Sequence, residues 1–133
     1  MHSPKTVLFV CTENANRSQM AEAFARIHGK GVLQAWSAGS KPAGRVNPRA
    51  VTAMSEKGYD LNPHRSKSLS EVPRGPYDFL ITMGCGDACP HVSARDRRDW
   101  EIPDPAGLEP AAFDDVRDEI ERKVMALVGE IGK

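Results

Sequence analysis

The sequence predicts an α/β fold, in which a doubly wound, four-stranded parallel sheet carries helices on both faces. Three observations predict it: short apolar runs typical of strands buried on both faces, segments with helical periodicity, and the alternation of the two along the chain. Right-handed crossovers place helices on both faces of such a sheet. The length of 133 residues is that of one domain, so we expect residues 1–133 to form a single domain.

Each element carries its own signal. Apolar runs predict the strands. Gly29 follows the first helical pattern and is expected to end that helix. Asn47 and Pro48 form a helix start, an N-cap followed by proline in the first turn. Apolar residues at steps of three and four predict a long amphipathic helix from Pro110, and 84–99 is expected to be a polar loop. The predicted strands are 6–10, 32–37, 77–83 and 100–102, and the predicted helices begin at Arg17, Pro48 and Pro110.

Composition limits the function classes. Lys plus Arg and Asp plus Glu each number 18, so the net charge is zero and the broad basic surface of a nucleic-acid or anionic-membrane binder is not expected. No apolar run approaches the roughly 18 residues of a membrane helix. The first residues contain no apolar core of a signal peptide, and the three cysteines are an odd number for a disulfide framework. We therefore expect a cytoplasmic protein.

The segment between the first strand and the first helix has the composition of an oxyanion site. The backbone N–H groups of a helix N-terminus are unpaired and its dipole is positive, so a loop there can bind an anion. Arg17 adds a planar fork that matches two oxygens of a tetrahedral oxyanion, and Cys11 stands where the same field favours thiolate. The alternative is a buried thiol, a helix-capping Ser18 and a surface arginine. The candidate loop comprises Thr12, Glu13, Asn14, Ala15, Asn16, Arg17 and Ser18.

These residues resemble a known family. Val-Cys-Thr-Glu-Asn at 10–14 and Arg-Ser-Gln-Met-Ala-Glu at 17–22 are similar to the phosphate-binding loop of the low-molecular-weight protein tyrosine phosphatases, in particular of their thioredoxin-coupled arsenate reductase relatives. The resemblance continues in Ser-Ala-Gly at 37–39, Asn-Pro-Arg-Ala at 47–50, His-Arg-Ser-Lys at 64–67 and Asp-Pro at 104–105. It implies the family's fold and a covalent intermediate on Cys11.

Asp104 is the candidate general acid. A group that leaves the oxyanion needs a proton, and prolines on both sides of Asp104 restrict the backbone that carries it. Taken alone, an Asp-Pro pair is also common in turns. The resemblance implies that Asp104 is the acid.

Cys85 and Cys89 form the second cysteine cluster. Glycines and a proline surround them, which favours a loop that can change shape, and two thiols at this spacing can form a disulfide. A metal site with His91 and an inert pair are the alternatives. The resemblance implies a relay in which Cys11 attacks arsenate, Cys85 attacks Cys11, and Cys89 attacks Cys85, leaving a disulfide for a thioredoxin-type reductant.

Four departures from the family refine the prediction. Asn16 replaces a cysteine that such reductases often carry, and Glu13 is expected to face solvent. Lys67 stands where relatives that bind potassium carry an aspartate, so its ammonium is expected to replace the cation. Ala106 and Gly107 follow the Asp-Pro pair, where phosphatases usually have aromatic residues that stack on an aryl substrate.

The sequence therefore predicts an arsenate reductase that uses Cys11, Arg17, Cys85, Cys89 and Asp104, with no metal and no cofactor. The substrate is arsenate or a phosphate-like oxyanion. A low-molecular-weight phosphatase that hydrolyses phosphomonoesters through a phosphocysteine on Cys11 is the alternative, and a non-catalytic oxyanion-binding or redox-sensing module is the third hypothesis.

Overall fold

The computed structural model describes residues 3–84 and 92–132 and contains one parallel sheet. The strand order is β2-β1-β3-β4, and all three pairings are parallel. This confirms the predicted α/β class and the four-stranded parallel sheet. The elements are β1 (Lys5–Cys11), α1 (Arg17–His28), β2 (Leu33–Gly39), α2 (Pro48–Ser55), a 3₁₀ helix (Leu69–Glu71), β3 (Tyr77–Thr82), β4 (Ala94–Asp99) and α3 (Pro110–Ile131).

The two faces of β1 pack into two separate cores. Val7 and Phe9 belong to the larger core, to which α1, α2 and α3 all contribute buried side chains. Leu8 and Val10 point to the opposite face, where Val72, next to the 3₁₀ helix, covers them. All three α-helices thus contribute to the core on one face of the sheet, whereas the opposite face meets the segment around the short 3₁₀ helix. Because β1 is the centre of both cores, its carboxyl end is held firmly.

The predicted starts of all three helices are confirmed. The side chain of Asn47 accepts a hydrogen bond of 2.9 Å from the backbone N–H of Arg49, as an N-cap does. The predicted apolar stripe of α3 is buried from Phe113 to Leu127. The helix α2 ends at Ser55, slightly before the glycine at 58. No helix in the described ranges is long and apolar enough to cross a membrane.

The prediction for the fourth strand was wrong. The strand is Ala94–Asp99, inside the segment expected to be a loop, and 100–102 lies beyond it. It is an edge strand in which partly buried and exposed residues alternate, so it needs no apolar run. Arg98 pairs with Asp96 and with Glu130 of α3, and its guanidinium lies 5.2 Å from the Phe79 ring centroid. The charged residues of this segment therefore made it resemble a polar loop, although they are paired in the folded chain.

Candidate active site

The carboxyl end of the sheet brings the candidate residues to one cleft. Cys11 ends β1 and Arg17 begins α1, whereas Gly84 follows β3 and Asp104 follows β4. Such an edge is the usual ligand site of a parallel α/β sheet. The cleft has a volume of about 300 Å³ and is lined by Cys11, Thr12, Glu13, Ala15, Asn16, Arg17, Gly84 and Asp104.

Cys11 has a hydrogen-bond partner suited to a negative sulfur. Its Sγ lies 2.8 Å from Oγ of Ser18, and the Nδ2 group of Asn14 donates to the same Oγ at 2.7 Å. Because Ser18 already accepts from Asn14, its own hydrogen is free to point at the sulfur. Ser18 can therefore donate to the sulfur while it accepts from Asn14, which is the hydrogen bond that a thiolate on Cys11 would require.

Asn14 holds the shape of the loop. Its φ of 52° lies in the left-handed region, which asparagine tolerates better than most residues. Its Oδ1 accepts from Nε2 of Gln19 at 2.8 Å and from the backbone N–H of Lys67 at 3.0 Å. Gly39 lets the loop pass close to β2, because a Cβ there would lie 2.7 Å from the carbonyl oxygen of Thr12. The loop is thus fixed before any ligand arrives.

Arg17 is held at the side of the cleft. The residue is only 8% exposed, and its Nη1 donates to the carbonyl oxygen of Ile102 at 3.1 Å. Gly84 has a φ of 81°, and a Cβ at that position would lie 2.3 Å from Nη1 of Arg17. The guanidinium therefore occupies the space that a side chain at 84 would need.

The two carboxylates at the cleft are both exposed residues. Asp104 accepts a hydrogen bond of 3.1 Å from the backbone N–H of Ala106, so the carboxylate closes a local turn. Glu13 is exposed, as expected, although it borders the cleft. Solvation weakens the repulsion that its charge exerts on a bound anion.

An ammonium group lies behind the loop. Nζ of Lys67 is 3.3 Å from Oγ of Ser37 and 3.7 Å from Oε1 of Glu22, and Ser37 donates to the same Oε1 at 2.6 Å. Glu22 is 4% exposed, so its charge needs a partner. Burial lowers the pKa of Lys67, and the charge of Glu22 opposes that shift. The ammonium thus lies beside the carboxylate of Glu22 and the hydroxyl of Ser37.

His64 lies behind the loop, with most of its side chain buried. Its side chain is 11% exposed. Nδ1 lies 3.0 Å from Oε1 of Gln19, and Nε2 lies 2.7 Å from the hydroxyl of Tyr59. Burial lowers the pKa of His64. Since Gln19 also binds Asn14, His64 supports the loop from behind, and no spacing in the sequence signals this.

Cys85, Cys89 and His91 lie outside the described residues. Within 3–84 and 92–132, no three His, Cys, Asp or Glu side chains come together as metal ligands would. The described part of the site therefore consists of a thiol, a guanidinium, an amide-lined loop and a carboxyl. Such a site can bind a tetrahedral oxyanion, attack it with sulfur and protonate the oxygen that leaves.

Comparison with known proteins agrees with this geometry. The family model for low molecular weight phosphotyrosine protein phosphatase matches residues 6–133. A glutaredoxin arsenate reductase from Synechocystis sp. is 35% identical over 130 residues, which cover 96% of this chain and 98% of that protein.

Two solved structures are also similar. An arsenate reductase in the phosphate binding state has a TM-score of 0.87 and 35% identity, over 96% of this chain and 98% of that one. A thioredoxin-dependent arsenate reductase from Corynebacterium glutamicum has a TM-score of 0.77 and 31% identity, over 98% of this chain and 63% of that one. The chain therefore belongs to the low molecular weight phosphotyrosine protein phosphatase family.

Proposed function

We propose that this protein is an arsenate reductase that forms a covalent arseno-thiol on Cys11. The observation that carries the proposal is the cleft that Cys11, whose sulfur lies 2.8 Å from Ser18, lines together with Arg17 and Asp104. Relatives named arsenate reductase, at 35% identity over nearly the whole chain, support the choice of substrate. A cytoplasmic location, where thiols stay reduced, suits this chemistry.

The first step joins sulfur to arsenic. The loop N–H groups and Arg17 bind the oxygens of hydrogen arsenate, and the Cys11 thiolate attacks the arsenic atom. An S–As bond forms and an As–O bond breaks. Asp104 gives its proton to the hydroxyl that leaves, which departs as water, and the aspartate becomes a carboxylate.

The next two steps reduce the arsenic. The Cys85 thiolate attacks the sulfur of Cys11, so an S–S bond forms, the S–As bond breaks, and its electron pair stays on arsenic as arsenite. The Cys89 thiolate then attacks Cys85 and releases Cys11. Two thiols have become one disulfide, and these two electrons account for the change from As(V) to As(III).

An external dithiol must reduce the Cys85–Cys89 disulfide after each cycle. We favour a thioredoxin-type reductant, because the relay ends on a disulfide within the chain. One relative is named a glutaredoxin arsenate reductase and another is described as thioredoxin-dependent, so both donors occur among similar proteins. Turnover with each donor in parallel assays distinguishes them.

Hydrolysis of phosphomonoesters is the second candidate function. The family model that matches the chain carries the name of a phosphatase, and the same Cys11, Arg17 and Asp104 would serve that reaction. The small residues Ala106 and Gly107 offer no stacking surface to an aryl group. This observation favours a small inorganic oxyanion as the substrate.

Mass spectrometry after a single arsenate turnover tests the relay. The wild type should end with Cys85 joined to Cys89, whereas Cys89→Ser should complete one round and end with Cys11 joined to Cys85. As the matched control, Cys85→Ser should accumulate the arseno-thiol without releasing arsenite. Normal multiple turnover by Cys89→Ser would refute the relay.

The same proteins separate the three hypotheses. Brisk hydrolysis of p-nitrophenyl phosphate by a wild type that ignores arsenate would favour the phosphatase. Unchanged activity on both compounds in Cys11→Ser would favour a non-catalytic module.

A further inference from the structure

Arg49 connects α2 to the segment that carries the candidate acid. Its Nη1 donates to the carbonyl oxygen of Ala106 at 3.0 Å, and its Nη2 donates to the carbonyl oxygen of Leu108 at 2.5 Å. Both acceptors lie within four residues of Asp104. One planar guanidinium therefore bridges two carbonyl groups of the same segment.

The position of Arg49 is itself fixed from two sides. Its backbone N–H is bound by the Asn47 cap at 2.9 Å, which places the residue in the first turn of α2. Its guanidinium carbon lies 4.7 Å from the centroid of the Phe113 ring on α3. Stacking on an aromatic ring limits the rotation of the fork, so Arg49 is a stiff support rather than a loose surface cation.

Ile102 and Pro105 of this segment are buried, whereas the residues next to them at the cleft are exposed and gain their support from Arg49. Asp104, Ala106 and Gly107 are exposed. The carboxylate of Asp104 binds the N–H of Ala106, the residue whose carbonyl Arg49 holds. At the other end, the carbonyl of Ile102 accepts from Arg17. Arg17 and Arg49 thus fix the two ends of 102–108, with Asp104 between them.

We propose that Arg49 is a positioning residue for the general acid, holding Ala106 and Leu108 so that the Asp104 carboxyl stays over the cleft. This inference rests on the proposed function, since it needs Asp104 to donate a proton. A misplacement of about 1 Å can slow a reaction about 10²-fold without loss of ligand affinity. Arg49 therefore acts on the rate of the S–As step and not on oxyanion binding.

The test uses Arg49→Ala and Arg49→Lys in the full chain. The readouts are the single-turnover rate of arsenite formation and the affinity for inorganic phosphate, which is bound but not reduced. Arg49→Ala should slow the single turnover roughly 10- to 100-fold, with phosphate affinity unchanged. Arg49→Lys keeps the charge and can reach one carbonyl, so its single-turnover rate should lie between those of the wild type and Arg49→Ala. Arg122→Ala, on the exposed side of α3, removes the same charge elsewhere and should match the wild type.

The double variant Arg49→Ala with Asp104→Asn separates positioning from general damage. If Arg49 acts through Asp104, the double variant should be no slower than Asp104→Asn alone. The proposal would be overturned if Arg49→Ala slowed the Asp104→Asn variant by the same factor by which it slows the wild type. A parallel loss of phosphate affinity would also overturn it. A wild-type rate in Arg49→Ala would also overturn it. If Arg49→Ala does not fold, as judged by circular dichroism, Arg49→Lys carries the same comparison.

Failure of the proposed function would look different. In that case the wild type itself would not reduce arsenate. The Arg49 and Asp104 variants would then be compared on phenyl phosphate, whose phenolate leaving group, with a pKa of about 10 like that of tyrosine, needs a proton. Equal rates in all variants on that substrate would overturn the positioning role independently.

Discussion

Replacing Gly84 by alanine should displace the guanidinium of Arg17. Two costs arise at this position. The backbone has a φ of 81°, where a Cβ costs about 1–2 kcal/mol. The new Cβ would also lie 2.3 Å from Nη1 of Arg17, whereas ordinary contacts begin at 3.4 Å. The guanidinium must therefore move by about 1 Å, away from the carbonyl of Ile102.

The size of the effect follows from these contacts. A hydrogen bond to a charged group contributes about 1.5–3 kcal/mol. Loss of the bond to Ile102 would therefore lower the stability by at most that amount, in addition to the cost of the backbone strain. If the displaced fork no longer meets the oxyanion, binding weakens by a similar energy. Each 1.4 kcal/mol is about tenfold, which predicts a phosphate affinity roughly 10- to 100-fold lower.

Gly58→Ala is the matched control. Gly58 has the same φ of 81°, but a Cβ there would meet nothing within 4 Å. It should lose about 1–2 kcal/mol of stability in urea unfolding, and it should bind phosphate as the wild type does. Isothermal titration with phosphate measures the difference between the two variants. Equal phosphate affinities in Gly84→Ala and Gly58→Ala would refute the account of how Arg17 is held.

Four further predictions concern single residues. Asp104→Asn should slow the single turnover about 10²- to 10⁴-fold and leave phosphate affinity unchanged; an unaffected rate removes Asp104 from the chemistry. Asn16→Ala should cost no stability in urea, because its buried Oδ1 has no hydrogen-bond partner among the described residues, whereas Asn47→Ala should lose about 0.5–2 kcal/mol. Turnover should be the same in potassium and in sodium buffers, since the ammonium of Lys67 already lies beside the carboxylate of Glu22; a strong rise with potassium contradicts this. Burial lowers the pKa of His64, so the unfolded chain binds a proton at this residue more tightly than the folded chain does. The free energy of unfolding should therefore fall as the pH drops below about 6.5. Urea titrations at several pH values should show this fall in the wild type and not in His64→Gln.

The candidate oxyanion loop could be located from the sequence because its residues are adjacent. The candidate nucleophile, the guanidinium and the hydroxyl lie between Cys11 and Ser18, and the strand and helix that flank them have strong patterns of their own. A short-range motif of this kind needs no knowledge of distant contacts. The strand β4 needs such knowledge, because Arg98 is neutralised by Glu130, 32 positions away. The hydropathy of the sequence shows that Arg98 is charged but not that Glu130 pairs with it, so the segment of β4 resembled a loop.

The supports of the site could not be predicted for a related reason. At the site, Arg17 and Arg49 donate to backbone carbonyl oxygens, which every residue type supplies equally well. Ala106 and Leu108 accept from Arg49 across 57 and 59 positions without any demand on their own side chains. Only the donor carries a recognisable residue type, and a single arginine is too common to stand out. Arg17 was recognised because its loop is a motif, whereas the role of Arg49 became visible only in the folded chain.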